Sequence, residues 1–506
     1  MKRKATIYYT SDVHGYLLPT SYGDKEEKAM GLLNCVSNFK KDGNTLVFDG
    51  GDTLQGSPMA SYIMAKGGEV LESEPIALVY NEAGYDCVVP GNHDFNFGYE
   101  RLSHYYNALH GACLGANVED LEGELKLSNS KIFTLENGLR LGVTGIVTDY
   151  VNVWEQPEHL KNIKITDAFM AAKKELSLLK DQCDVTICIY HGGYECDLET
   201  GEVLSTSGEN VGYRILKELD YDILLTAHQH MPVSGREICG THTLQVMANA
   251  IQFARIEITV SEGKVTVEST ICPAGDYHEE EPYKTLLPLE GEVQKWLDVS
   301  IGRLKEPVLE MSKLDMAMYG SGIADLFNQI QLFYSGADIS CVGLGNTPMS
   351  LPEHITMRDL VRVYPFSNTL VVLSVDEAAL KKALERCAEY FTLKDGVIEI
   401  SDVFLNPKVE HYNYDYFAGI TYEVDVTMPV GSRVRSILYQ GEPLNGRSLS
   451  LCMSDYRGSG TGGYEVYKTC PVIKRIGTDV PELALDYLKK HPVVELQKNG
   501  SIIIRR

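Results

Sequence analysis

Val88-Val89-Pro90-Gly91-Asn92-His93-Asp94-Phe95-Asn96-Phe97-Gly98 sets a short apolar run against Pro-Gly, then presents an amide, an imidazole and a carboxylate in consecutive positions. The apolar run predicts a buried strand and Pro-Gly its end. Open α/β sheets keep their ligand sites at the carboxyl ends of strands, so the cluster admits a metal or phosphate reading. Turns also favour Asn, Asp and Gly for backbone reasons alone, and the fragment by itself leans toward an ordinary polar turn. The rest of the chain has to decide.

Short apolar runs of the same kind recur with helical stretches between them: ATIYYTS (5–11), TLVFDG (45–50), DCVVPG (86–91), LGVTGIV (141–147), DVTICIY (184–190), DILLTA (222–227) and LQVMA (244–248). This alternation predicts an α/β domain over about the first 280 residues, a layered, mixed or mostly parallel sheet with helices outside. Five of its strand ends carry ligand-type side chains. The first strand runs into Asp12-Val13-His14, the second into Gly51-Asp52, and the third into Asn92-His93-Asp94; His191 follows DVTICIY, and His228-Gln229-His230 follows DILLTA. Neighbouring strands of such a sheet bring these ends to one edge. A single His or Asp at a strand end is more often a cap than a ligand, but five in order make accident a poor account. Oxygen and imidazole donors together suit two divalent ions, Mn, Zn, Co or Fe, sharing one carboxylate.

At 506 residues the chain should divide into at least two domains. The expected boundaries are a first domain over 1–283, a linker helix over 284–307 and a smaller α/β domain over 308–506. The linker region opens on a charge run and then places Trp296, Leu297, Ile301 and Leu304 at helical spacing before Pro307. The last domain opens on an amphipathic stretch, GIADLFNQIQLFY, and ends on SIIIRR. A formal net charge of −24 argues against a surface that grips a nucleic-acid polymer or an anionic membrane. For a phosphate-bearing small molecule the missing positive charge would come from bound cations, which make acidic side chains an asset. Twelve cysteines without a CxxC pair, several inside apolar runs such as Cys188 and Cys341, are expected to be buried thiols in a reducing compartment. The opening MKRKATIYYTS lacks the apolar core of a secretion signal, and no run reaches the roughly 18 residues of a membrane span. The expectation is a soluble, cytoplasmic protein, monomeric or weakly oligomeric.

Asp-x-His, Gly-Asp, Gly-Asn-His-(Asp/Glu), His and x-His-x-His in this order resemble the signature of the dinuclear (calcineurin-like) metallophosphoesterases. The resemblance extends to the C-terminal part, which looks like the nucleotide-binding domain of the 5′-nucleotidase family. It implies that Asp12, His14, Asp52 and His230 hold one metal and that Asp52, Asn92, His191 and His228 hold the other, with Asp52 as the bridge. A hydroxide between two such cations would be the nucleophile, because the metals depress the pKa of bound water. His93 would meet the phosphoryl group as a transition-state donor or general acid, oriented by a neighbour, for which Asp94 is the adjacent candidate.

Departures from the family pattern narrow the expected substrate. Secreted 5′-nucleotidases usually read NHEFDYG after the catalytic His, the later Asp forming a dyad with it; this chain has Asn96 there, as does the 2′,3′-cyclic-nucleotide 2′-phosphodiesterase/3′-nucleotidase branch. The stretch Ser454-Asp455-Tyr456-Arg457-Gly458-Ser459-Gly460-Thr461-Gly462-Gly463-Tyr464 resembles that branch's NYRASGGGGY more than the NYLANGGDGY of 5′-nucleotidases. The Gly-Gly-x-Arg segment of 5′-nucleotidases is missing, and Gly345-Asn346-Thr347-Pro348 stands in its place. By the same resemblance Phe366 and Tyr456 would sandwich the base, a contact that tolerates any base. Asn346, Gly458 and Gly460 complete the expected substrate contacts, the glycines by letting backbone approach the ligand. The expected activity is a metal-dependent phosphodiesterase and 3′-nucleotidase. The alternatives are a 5′-nucleotidase or nucleotide-sugar hydrolase, and a nucleotide-binding protein without catalysis, which the complete ligand set and His93 disfavour.

Overall fold

Leu46-Val47-Phe48 and Ile187-Cys188-Ile189 are apolar at every position, as strands covered on both faces must be. In the computed structural model each lies inside a six-stranded sheet, and strands Thr45–Asp49 and Val185–His191 are buried along their whole length. The structure describes residues 2–65, 74–204, 208–275, 286–347, 349–366, 368–406, 409–498 and 501–505. The charge run at 276–285 and Pro348 therefore lie outside the described residues. The chain forms two compact units, Met1–Gln294 and Lys295–Arg506.

In the first unit one sheet runs in the order Lys264–Pro273, Gln252–Ser261, Arg3–Thr10, Thr45–Asp49, Cys87–Val88 and Ala112–Cys113. The last four of these are mutually parallel, with Ile7 opposite Leu46 and Asp49 opposite Val88. The other sheet runs Val233–Ile238, Thr241–Gln245, Ile223–Thr226, Val185–His191, Arg140–Val147 and Ser130–Thr134, parallel through its four central strands. The layered, mixed-sheet α/β architecture expected from the sequence is thus made of two sheets, sharing one apolar core that includes Ile7, Phe48 and Val89 from one side and Val143, Ile189 and Leu225 from the other. The antiparallel pair Gln252–Ser261 and Lys264–Pro273 has no counterpart in that reading, although its outer strand alternates exposed and half-buried residues with the period of two that such a hairpin requires. Helices Ala168–Leu179 and Gly212–Glu218 cover the second sheet's outer face, with Phe169, Leu176, Ile215 and Leu216 against Ile146, Tyr190 and Leu224.

The expected linker helix ends early. Helix Leu286–Leu297 stops where Val299, Ser300, Ile301 and Gly302 lower helix propensity, and Ser300–Leu304 is a strand that pairs with His354–Thr356 and Val493–Val494. Ile301 and Leu304 thus do not share a helical face with Trp296 and Leu297. The second unit is built on a five-stranded mixed sheet ordered Asp415–Ala418, Ile339–Gly343, Leu449–Ser454, Leu370–Val375 and Val472–Ile476. The amphipathic stretch forms helix Gly322–Ser335, capped by Ser321 and ended by Gly336 in the left-handed conformation. Among the described residues no helix is long and apolar enough to cross a membrane.

Candidate active site

The strand ends of the first unit turn sharply, and the turning residues are the candidate ligands themselves. Asp12, His14, Asp52, His228 and His230 have φ of 53°, 50°, 60°, 73° and 53°, five of the thirteen non-glycine residues with positive φ among the described residues. Such conformations cost energy in L-residues and persist only where surrounding structure over-determines them, so their concentration here marks a site. The turns after Asp49 and Val88 pack backbone against backbone: a Cβ on Gly51 would lie 2.4 Å from the amide nitrogen of Gly91, and one on Gly91 would lie 2.2 Å from that of Asp52.

Two groups of donor atoms result, Asp12, His14, Asp52 and His230 in one and Asp52, His191 and His228 in the other, each with all its ligand atoms within 4.8 Å of one another. Asp52 belongs to both, and Asn92 Oδ1 lies 3.1 Å from His191 Nε2. Tautomers can be assigned from the outer hydrogen bonds. His14 Nδ1 donates to the carbonyl of Gln55 at 2.8 Å, so its bare Nε2 faces His230 Nε2 at 3.0 Å. His191 Nδ1 donates to the carbonyl of Gly50 at 2.6 Å, so its Nε2 faces Asn92 Oδ1 and, at 3.2 Å, Asp52 Oδ2. That Oδ2 is fully buried and accepts no hydrogen bond. Lone pairs converging on a buried, unbonded carboxylate oxygen repel one another unless a positive charge sits among them, and this donor set fits two divalent cations.

The electrostatics of the cluster point the same way, with a proton on His191 supplying the positive charge that a cation would bring. Burial opposes charge on His191, but Asp52 outweighs it and pushes the ring up to about 10. Burial likewise opposes charge on Asp12, yet the contact with His230 holds it down to about 2. Burial and then the His230 ring pull His14 down to about 4, which leaves it neutral and able to act as a ligand.

His93 lies at the rim of this cluster, its backbone N–H donating to Asp52 Oδ1 at 2.8 Å and its ring 5.5 Å from that of His14. Asp94, the adjacent candidate for orienting it, is corrected here. Its carboxylate is fully buried and accepts from the backbone N–H of Gly91 (2.8 Å), Thr53 (2.8 Å), Leu54 (2.9 Å) and Asp52 (3.1 Å). It braces the turn that carries Asp52 and does not touch His93. Asn96 orients the ring instead, with Oδ1 2.8 Å from His93 Nδ1.

Three site residues carried no signal in the sequence. Glu209 Oε1 lies 2.9 Å from His228 Nε2, which leaves the Nδ1 of that ring for the cluster, and Trp154 packs on the same ring with centroids 5.3 Å apart. Glu155 accepts from Asn96. None belongs to a motif; the fold brings in Trp154 and Glu155 from the end of the short helix Val151–Trp154 and Glu209 from a loop.

The candidate substrate residues lie in the second unit. Tyr456 is 40% exposed on the short helix Asp455–Gly458, and Phe366 is half-buried, edge-on to Tyr364 at 5.4 Å. Asn346 donates to the carbonyl of Val409 at 2.8 Å. Gly458 and Gly460 have structural reasons of their own: a Cβ on Gly458 would lie 2.3 Å from Val371 Cγ1, and Gly460 sits at φ 89°. Beneath them the buried Arg457 pairs with Asp415 at 2.8 Å and donates to the carbonyls of Thr461 and Tyr412, which fixes the glycine loop next to Tyr456.

The calcineurin-like phosphoesterase family matches residues 5–232, and the 5′-nucleotidase C-terminal domain matches residues 300–469. Over 97% of its length the chain is 22% identical to the trifunctional nucleotide phosphoesterase of Bacillus subtilis, of whose length it spans 38%. It is 21% identical to the 2′,3′-cyclic-nucleotide 2′-phosphodiesterase/3′-nucleotidase of Haemophilus influenzae, over 98% of this chain and 85% of that one. Among solved structures, a candidate 5′-nucleotidase from Staphylococcus aureus, in complex with alpha-ketoglutarate, is 30% identical with a TM-score of 0.81 and the whole of both chains covered.

Proposed function

We propose that this chain, which belongs to the 5′-nucleotidase family of metallophosphoesterases, opens 2′,3′-cyclic nucleotides at the 2′ bond and then removes the 3′-phosphate. Water adds to phosphorus and the 2′ oxygen leaves with a proton, giving a 3′-nucleotide; a second water releases phosphate and the nucleoside. The observation that carries the choice of branch is Asn96 bonded to His93 where 5′-nucleotidases place an Asp. The name of the Haemophilus influenzae relative and the absence of a Gly-Gly-x-Arg segment support it.

Calcineurin-like phosphoesterases work with a dinuclear metal centre, and Asp12, His14, Asp52, Asn92, His191, His228 and His230 are the residues that would hold it. When bound, the ions supply a nucleophile from water at neutral pH and neutralise charge on the phosphoryl oxygens. His93, held at Nδ1 by Asn96, directs Nε2 at the phosphoryl group and serves the leaving oxygen as proton donor. Tyr456 and Phe366 offer aromatic faces to the base. The natural compartment on this reading is reducing and intracellular, supported by the free thiol state of all twelve cysteines, eight of them buried.

A 5′-nucleotidase is the second reading, favoured by the Staphylococcus aureus neighbour. Turnover of 2′,3′-cyclic AMP, 3′-AMP and 5′-AMP by protein supplied with Mn, Co or Zn separates the two. The expected order of kcat/KM places the first two substrates above 5′-AMP, and 5′-AMP ranking first would overturn the proposal.

A further inference from the structure

We propose that Glu155 is a positioning residue of this reaction, fixing through Asn96 which nitrogen of His93 carries the proton that faces away from the phosphoryl group. The inference rests on the role given to His93 above and deepens it. An asparagine amide is ambiguous on its own, because oxygen and nitrogen have the same shape and either can face the imidazole. Here the ambiguity is removed from outside. Asn96 Nδ2 lies 2.6 Å from Glu155 Oε2, and the Glu155 side chain is only 4% exposed. Its other oxygen is engaged by His159 Nδ1 at 2.7 Å and by the backbone N–H of Gln156 at 2.7 Å.

Glu155 Oε2 accepts from Asn96 Nδ2, so the NH2 group is committed to Glu155 and Oδ1 is left for His93. An oxygen can only accept, so His93 Nδ1 must donate across the 2.8 Å contact. The ring thereby keeps this bond whether Nε2 is bare or protonated, and Nε2 can give a proton to the leaving oxygen and take one back. With the amide reversed, Nδ1 would have to be the bare nitrogen and Nε2 would keep its proton. A carboxylate at position 96 would fix the ring directly, with its full charge beside the imidazole. In this chain the carboxyl group stands one amide further out, at Glu155, and its orienting effect passes through Asn96 with the ring itself facing an amide oxygen.

The variant that tests this is Glu155→Gln, which keeps shape but can accept or donate, so that either orientation of Asn96 is satisfied. The first readout is the ring nitrogen spectrum of His93 in 15N-histidine-labelled full-length protein supplied with diamagnetic zinc, assigned by the missing signals of His93→Gln. The expected result is an Nδ1–H ring in the parent and a substantial Nε2–H population in Glu155→Gln. The second readout is turnover. Proton donation matters for a nucleoside alkoxide and little for p-nitrophenolate, so kcat for 3′-AMP should fall roughly tenfold or more, with KM changed by less than about twofold and p-nitrophenyl phosphate turnover reduced less than about threefold. An unchanged Nδ1–H ring in Glu155→Gln would overturn the proposal. So would an equal loss on both substrates with a lowered melting temperature, the mark of a structural role. Failure of the parent to hydrolyse any nucleotide would remove the proposed function, while the ring spectra would still decide the control of His93 by Glu155.

Discussion

Replacing Asp94 by Asn isolates the task that the structure gives this carboxylate. Oδ1 accepts from the N–H groups of Thr53 and Leu54, and Oδ2 accepts from those of Asp52 and Gly91 and from the Tyr106 hydroxyl at 3.3 Å. An amide of the same shape can satisfy only one of these sets. The less costly orientation puts NH2 in the place of Oδ1 and leaves two buried N–H donors facing another donor. Each such loss costs about 1–3 kcal/mol, so the variant should be destabilised by about 2–4 kcal/mol once local relaxation is allowed. For a unit of this size that is a fall of roughly 5–15 °C in the transition of the N-terminal unit by scanning calorimetry. The bonds lost are those from Thr53 and Leu54, which directly follow the left-handed Asp52 and anchor the chain leaving it, so affinity for zinc, read by competition with a chromophoric chelator, should drop roughly 10- to 100-fold. Activity at saturating metal should recover in large part. If Asp94 acted on the His93 ring instead, Asp94→Asn would lower kcat while melting temperature and zinc affinity stayed at parent values, and that result would refute the reasoning.

Asn92→Ala removes the oxygen 3.1 Å from His191 Nε2 and should lower metal content at limiting zinc, measured by elemental analysis, with a loss of activity on the order of 10²-fold. Gly91→Ala introduces a Cβ 2.2 Å from the Asp52 amide nitrogen and should be at least as damaging to zinc affinity, although it deletes no ligand; parent-like zinc binding would contradict the close approach of the two turns. Tyr456→Ala should raise KM for 3′-AMP and 3′-CMP alike by roughly 5- to 100-fold with little change in kcat, the loss of one stacking face. In the second unit Lys313 is buried and donates to the carbonyl of Gly345, and burial pulls its pKa down to about 8. A depressed lysine binds its proton more weakly in the folded chain than in the unfolded chain, so the penalty is full below pH 8 and fades as pH rises toward the unfolded value near 10.4. Against Lys313→Met, the parent should therefore gain stability between these limits by about 2 kcal/mol after partial solvent screening, read as the difference in urea midpoints at pH 7.5 and pH 10.

The candidate ligands were legible because every parallel strand in question is an apolar run that stops abruptly, and the residue types after the stop are metal donors. What the sequence could not show is the backbone there. Positive φ is normally announced by glycine, and at Asp12, His14, Asp52, His228 and His230 the surrounding structure imposes it on residues chosen for chemistry. The second sheet was hidden for a related reason: fully apolar strands do not reveal which neighbours they have, whereas the Asn137-Gly138 turn between Ser130–Thr134 and Arg140–Val147 does announce the antiparallel edge at which that sheet begins.

Asp94 and Asn96 show how adjacency misleads and spacing informs. Residues Asn92–Phe95 form a single 3-10 turn, with three residues per revolution, so the side chain that returns to the level of His93 is the one three positions on. Asp94, one position on, is rotated by about a third of a turn toward the Asp52 backbone, where its charge meets four N–H donors. The motif therefore places two polar groups at right angles to each other's work: a carboxylate that shapes the metal-binding turn, and an amide that aligns the ring. An amide aligns a ring only if something chooses its orientation. In this chain the choice is made by Glu155, about sixty positions away, which no reading of the motif alone could have supplied.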